Sequence, residues 1–261
     1  MSMFERLQRP FLTVKTGEAY QPIRLTYELK QPEQLIAVLS KLNCITAKHD
    51  HAWDWFWRDE CDDLHFESLD SYKKNEALPE RLGTFTIKNN TLYLSLPSFK
   101  RACLAVPFFH RLISADIAKV HKADFLNKVF GLNERLPHGF SELFNENELE
   151  RIVEQRIHDY EAMQARCEQA ASVDEAAAIL AEYTKSESKK RLPYAERYTF
   201  HEDEKKPIDP DIVFLGFYIF LRGREMVAIH RWFGETGYSL ANAAEETVEQ
   251  VFGGMNIDII E

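Results

Sequence analysis

GTFTIKNNTLYLSL, residues 83–96, places two runs of alternating apolar and polar residues on either side of an asparagine pair. Alternation with a period of two is typical of half-buried strands. Asparagine tolerates a positive φ, so Asn89-Asn90 can close a two-residue turn. The stretch therefore predicts a β-hairpin and, around it, a β-sheet.

The residues that precede this hairpin predict two more strands and a helix. Ile23–Leu29 alternates in the same way, and residues 45–48, ITAK, could form a second strand. Between them, Pro32 stands where the first turn of a helix tolerates proline, and leucines follow at helical spacing.

Helices are predicted on the C-terminal side of the hairpin. Ser98 can cap a helix that Pro107 should kink or end near Val106. A further helix is predicted at about residues 116–130, before the stop signal of Gly131.

A long helical hairpin is predicted at residues 141–192. Its first helix runs from about Asn145 to Ala170, and Ser172-Val-Asp-Glu175 fits the capping box of a second helix. Helices joined by so short a connection pack antiparallel. The apolar stripe of the first helix is Leu149, Ile152, Val153, Ile157, Tyr160, Met163 and Cys167.

The last segment, residues 193–261, is predicted to be a β-hairpin followed by a helix. Ile212–Leu221, IVFLGFYIFL, is apolar on both faces, which predicts a central strand. Arg222-Gly223-Arg224 predicts the turn after it. The fold class is therefore α+β, with a mostly antiparallel sheet packed with helices. Residues 1–140 and 193–261 complete one globular unit, and the helical hairpin at residues 141–192 either protrudes from this unit or caps its sheet.

Composition and charge exclude several classes of protein. The chain has 261 residues and a formal net charge of −10. Residues 1–140 hold 19 Lys or Arg against 17 Asp or Glu, whereas residues 141–261 hold 13 against 25. An acidic half repels phosphate, so extensive contact with nucleic acid is not expected. No apolar run approaches the roughly 20 residues that cross a bilayer, so no membrane association is expected.

The common catalytic motifs are absent from the sequence. It contains no GxxxxGK[ST], GxGxxG, GxSxG or HExxH pattern and no EF-hand loop, so no cofactor is predicted. The four cysteines form no CxxC pair, which favours reduced thiols and a cytoplasmic location.

One stretch could still carry metal chemistry. His49 and His51 would point the same way on a strand, and with Asp54 they offer nitrogen and oxygen ligands to Zn²⁺ or Mn²⁺. A metal-dependent hydrolase or nuclease centred on these residues is therefore an alternative function. The more conservative interpretation is a polar turn that leads into an amphipathic helix, and no metal site is assigned.

The favoured function is a protein-interaction or adaptor module. If residues 52–60 were helical, Trp53 and Trp57 would share a face with Phe56, where they would either pack in the core or anchor a partner. Ile157 and Tyr160 lie on the long stripe that a second helix is too short to cover. A homodimer through this stripe is one interpretation, and a monomer whose sheet covers it is the favoured one.

Overall fold

The computed structural model of the chain describes residues 10–49, 51–66, 79–137, 139–200 and 208–252. Within these ranges, seven strands form one antiparallel sheet with the order β2-β3-β4-β5-β1-β6-β7. The strands are β1 (Ile23–Leu29), β2 (Ile45–His49), β3 (Ala52–Phe56), β4 (Arg81–Lys88), β5 (Thr91–Leu96), β6 (Ala118–Leu126) and β7 (Ala195–Thr199). The helices are α1 (Pro32–Leu39), α2 (Phe99–Leu112), α3 (Phe140–Leu143), α4 (Glu146–Glu168), α5 (Val173–Lys189), α6 (Pro210–Trp232) and α7 (Leu240–Phe252). The α+β class, the antiparallel sheet and the helical hairpin of α4 and α5 confirm the prediction.

The β4–β5 hairpin forms as the alternating pattern of residues 83–96 predicts. Asn89 and Asn90 have φ values of 48° and 59°, the left-handed conformation that a two-residue turn requires. The turn sets the pairing of Lys88 with Thr91 and of Phe85 with Leu94. The apolar side chains of both strands consequently face the same side of the sheet.

The main core lies between this face of the sheet and helices α2 and α6. Phe125 of β6 makes edge-to-face contacts with Phe99 of α2 at 5.4 Å and with Phe220 of α6 at 5.7 Å, measured between ring centroids. Such aromatic pairs add stability beyond the area that they bury. The two helices therefore pack on the sheet through the same strand.

α2 begins as predicted but does not end as predicted. The Ser98 hydroxyl accepts a hydrogen bond from the Arg101 amide, as an N-cap should. The helix continues past Pro107 to Leu112. Phe108 and Phe109, which follow the proline, are 4% and 1% exposed. Their burial offsets the hydrogen bond that proline cannot donate.

The central strand predicted at Ile212–Leu221 is wrong. Ile212–Leu221 lies within α6 and is not a central strand, so residues 193–261 contain no β-hairpin in their described part. Asp209 caps the helix by accepting from the Asp211 amide at 3.0 Å, and Pro210 fits its first turn. A run that is apolar on both sides fits a buried helix as well as a strand, and these start signals decide between them.

The helix predicted at residues 116–130 is instead β6. The pairing of β6 with β1 shifts register between Thr26 and Tyr27. Such a bulge interrupts the two-residue alternation by which a strand is recognised in a sequence. The alternation that would identify β6 as a strand is therefore not visible in the sequence.

The helical hairpin begins each helix with the predicted cap. The Asn145 side chain accepts from the Glu148 amide, and the Ser172 hydroxyl accepts from the Glu175 amide. α5 contains no buried residue. This helix therefore depends on its contacts with α4 and α7, not on the main core.

None of the described helices is long and apolar enough to span a membrane.

Candidate functional site

Trp53 and Trp57, which the sequence suggested as partner anchors, lie in the core. Residues 52–56 form β3 instead of a helix, so alternate side chains point to the same face of the sheet. Trp53 is 6% exposed and Trp57 is 2% exposed. Between them, Trp55 stacks on Phe108 of α2 at 5.6 Å between ring centroids. The tryptophans therefore stabilise the sheet–helix packing and are too buried to anchor a partner.

His49, His51 and Asp54 do not form a ligand cluster. Both histidines are exposed, and His51 has a φ of 60° in the turn after β2. The Asp54 carboxylate accepts a 2.6 Å hydrogen bond from the Thr84 hydroxyl and lies 3.7 Å from Arg81. In the described ranges, no three His, Cys, Asp or Glu side chains are grouped so that they could hold a metal ion.

Ile157 and Tyr160 lie on the surface of α4, where they are 47% and 54% exposed. Leu149 and Met163 of the same predicted stripe are buried, at 1% and 6%. The stripe is therefore split between two sides of the helix. One side packs inward and the other is open to solvent.

A groove of about 1020 Å³ with mixed chemistry is lined by residues of α4, α5, α6 and α7. Its apolar wall combines leucines, such as Leu180 and Leu240, with alanines of α5 and α7. Six of its lining residues are Arg or Lys and two are Asp or Glu. The groove is therefore a basic surface within the acidic half of the chain.

The floor of the groove holds two arginines around one buried glutamate. Glu196 of β7 is fully buried and accepts from Arg224 of α6, through Nε at 2.9 Å and Nη2 at 3.2 Å. It also contacts Arg156 of α4 and accepts from Asn127. The single negative charge of Glu196 therefore lies beside the positive charges of both Arg224 and Arg156.

Burial disfavours the charged form of both arginines. Burial lowers the pKa of Arg224 to about 9. Burial and the neighbouring charge of Arg224 lower the pKa of Arg156 to about 10. Both guanidinium groups therefore stay protonated at neutral pH, although the protein opposes their charge. An additional anion bound beside these arginines would stabilise their charged form.

The rim of the groove carries further cations. Lys190 is paired with Asp159 at 3.0 Å and with Glu187. Arg151 and Lys185, by contrast, make no ion pair with any acidic group of the described residues. The rim therefore keeps positive charge that faces solvent.

A second ionic network fixes the start of α4 against the opposite face of the sheet. Asp124 is fully buried and accepts from Arg24 at 3.0 Å and from Arg197 at 2.6 Å. Arg197 also donates to Glu146 of α4 at 2.8 Å, as does Lys122 at 2.9 Å. Burial opposes ionisation of Glu146, but these two hydrogen bonds outweigh it and lower the pKa of the carboxyl below 4.5.

α4 consequently crosses the outer edge of the sheet. Neighbouring residues of a strand point to opposite faces, and α4 contacts both Glu196 and Arg197 of β7. The helix thus covers the edge strand and carries Arg156 to the groove.

No family model, curated protein or solved structure matches this chain. The site is therefore interpreted from its own chemistry.

The sequence contained only weak signals for this site. Arg156 interrupts the apolar stripe of α4, and Arg224 belongs to the segment that was predicted to be a hairpin turn. Glu196 is one of many charged residues in its region. Their convergence depends on α6 being a helix, which the sequence analysis did not predict.

Proposed function

We propose that this chain is a protein-interaction module whose groove binds an acidic amphipathic helix of a partner protein. The observation that carries the proposal is the surplus of positive charge on an apolar groove of a protein with a net charge of −10. Apolar burial supplies affinity in such complexes, and complementary charge supplies orientation and specificity.

The shape of the groove favours a helical occupant. Ala177 and Ala181 of α5 are four residues apart, and Ala241 and Ala244 of α7 are three apart, so each pair lies along one face of its helix. Small side chains allow another helix to approach within the usual 8–10 Å between axes. About three helical turns would follow α5 along the groove, a length of about 16 Å.

The charge of the groove favours acidic side chains on that helix. Arg151 and Lys185 lie on the rim, and Arg156 and Arg224 lie deeper. The screening length at physiological ionic strength is about 8 Å, so a short acidic segment in the groove experiences mainly these cations. A long polyanion such as nucleic acid would also meet the acidic surface around the groove, which opposes its binding.

A pair of designed peptides tests the proposal. The probe is a fluorescein-labelled helical peptide with leucines on one face and glutamates on the other, and its partner has lysine in place of each glutamate. We expect the acidic peptide to bind with at least about tenfold higher affinity than the basic one, measured by fluorescence anisotropy. Arg151→Glu combined with Lys185→Glu should lower the affinity for the acidic peptide by about tenfold or more.

Lys41→Glu provides the matched control, because Lys41 is exposed beyond α1 and does not line the groove. It makes a charge reversal of the same kind and should leave the affinity unchanged. Equal affinity for the two peptides would contradict the proposal. Tighter binding of single-stranded oligothymidylate than of the acidic peptide would replace it with a nucleic-acid function.

A further inference from the structure

A second, smaller pocket lies between the sheet and the two helices that cover it, away from the groove. It has a volume of about 80 Å³ and is lined by β1, β6, the C-terminal half of α2 and the first turn of α6. Most of its wall is apolar and includes Val106, Phe109, Ile113 and Phe214. None of these residues takes part in the groove.

One polar group in this wall lacks a partner. Tyr27 of β1 is 4% exposed, and its hydroxyl makes no hydrogen bond to the described residues. A buried hydroxyl without a hydrogen-bond partner destabilises the folded protein. Burial raises the pKa of Tyr27 well above its ordinary value, so the hydroxyl stays neutral and can donate a hydrogen bond.

We propose that this pocket binds a small, mainly apolar molecule whose single oxygen accepts a hydrogen bond from Tyr27. The enclosed volume is about half that of the roughly 150 Å³ engineered cavities that hold benzene. The pocket opens at exposed residues such as His110 and Ala115, so part of the ligand can extend toward solvent. A molecule built on one ring, or a short chain with one carbonyl or hydroxyl oxygen, meets these limits.

The test compares phenol with toluene, which have nearly the same shape, with a hydroxyl group in phenol where toluene has a methyl group. Methyl groups of Val106 and Ile113 are labelled with ¹³C in the full-length protein, and their NMR shifts report binding inside the pocket. We expect both methyls to shift on titration with phenol, with phenol bound more tightly than toluene. In Tyr27→Phe the ratio of the two affinities should fall by about three- to tenfold.

Two variants at one position separate binding from folding. Ala115 is exposed at the pocket mouth, so a tryptophan at this position should obstruct entry without disturbing the core. Ala115→Trp should therefore lower the affinity for both probes by at least about tenfold. Ala115→Ser is the matched control and should bind both as the unchanged protein does. The proposal is overturned if neither probe shifts the methyls, because the pocket then binds neither molecule. It is also overturned if Tyr27→Phe, shown to be folded by circular dichroism, leaves the ratio unchanged.

Discussion

Replacing Glu196 by glutamine is expected to destabilise the fold by about 3–5 kcal/mol, because it leaves Arg224 buried without an anionic partner. Arg224 is 8% exposed, and two of its N–H groups donate to this glutamate at 2.9 and 3.2 Å. Glutamine preserves the shape but removes the charge. Its amide nitrogen would also face guanidinium donors, so at least one hydrogen bond would be lost.

The opposite replacement is expected to cost less. In Arg224→Met the charge of Glu196 is still offset by Arg156, so the expected loss is about 1–2 kcal/mol. In the double variant Glu196→Gln/Arg224→Met the unpaired cation is removed together with its partner. It should therefore be more stable than Glu196→Gln alone by about 2 kcal/mol.

Urea unfolding followed by tryptophan fluorescence measures all of these free energies. Glu154→Gln on the exposed side of α4 is the control and should change the free energy of unfolding by less than about 0.5 kcal/mol. Two results would refute the reasoning. The first is a cost below about 1 kcal/mol for Glu196→Gln, and the second is a double variant whose cost equals the sum of the two single costs.

Three further predictions concern the sheet, the pH dependence and the surface of α4. Gly83→Ala should destabilise the protein by about 1–3 kcal/mol in urea unfolding, because the added Cβ would lie 2.6 Å from Leu96 Cδ2; an unchanged midpoint would contradict this. The folded-state pKa of Glu146 lies below 4.5, so its ionised form stabilises the fold above pH 4.5 and that contribution is lost as the pH falls below this value. Glu146→Gln should therefore lose less stability than the unchanged protein between pH 6 and pH 3.5, and parallel losses would show that the carboxylate contributes nothing. If the open side of α4 forms a homodimer, light scattering at tens of micromolar should report a dimer that Ile157→Asp dissociates, whereas a monomer in both proteins would leave that surface without a role in self-association.

The sequence predicted those elements whose signals are local. Asn89-Asn90 and Ser172 each combine a specific backbone preference with a clear pattern beside it, and both produce the expected turn or cap. Ile212–Leu221 was predicted incorrectly because its hydrophobicity specifies burial without specifying a period. The decisive local signals, Asp209 and Pro210, stand just before it.

The candidate site could not be predicted, since it depends on contacts between distant parts of the chain. Arg156, Glu196 and Arg224 come from three different elements, and no spacing in the sequence relates them. Tyr27 was assigned to a strand correctly. Whether its hydroxyl has a partner depends, however, on helices far along the chain.

The position of the helical hairpin between β6 and β7 has a consequence for the order of folding. β2, β3, β4 and β5 are neighbours both in the chain and in the sheet, so their pairings close shorter loops than the connection between β6 and β7. β7 pairs with β6 only after Asp124 and Arg197, which are 73 positions apart in the chain, have been brought together. Loop closure becomes slower and entropically more costly with length, and prior formation of α4 and α5 shortens the distance to be closed. We therefore expect β7 to join after β2–β5 have paired, so that an intermediate lacking it would offer the open edge of β6 to the β7 strand of another molecule and could form a domain-swapped dimer.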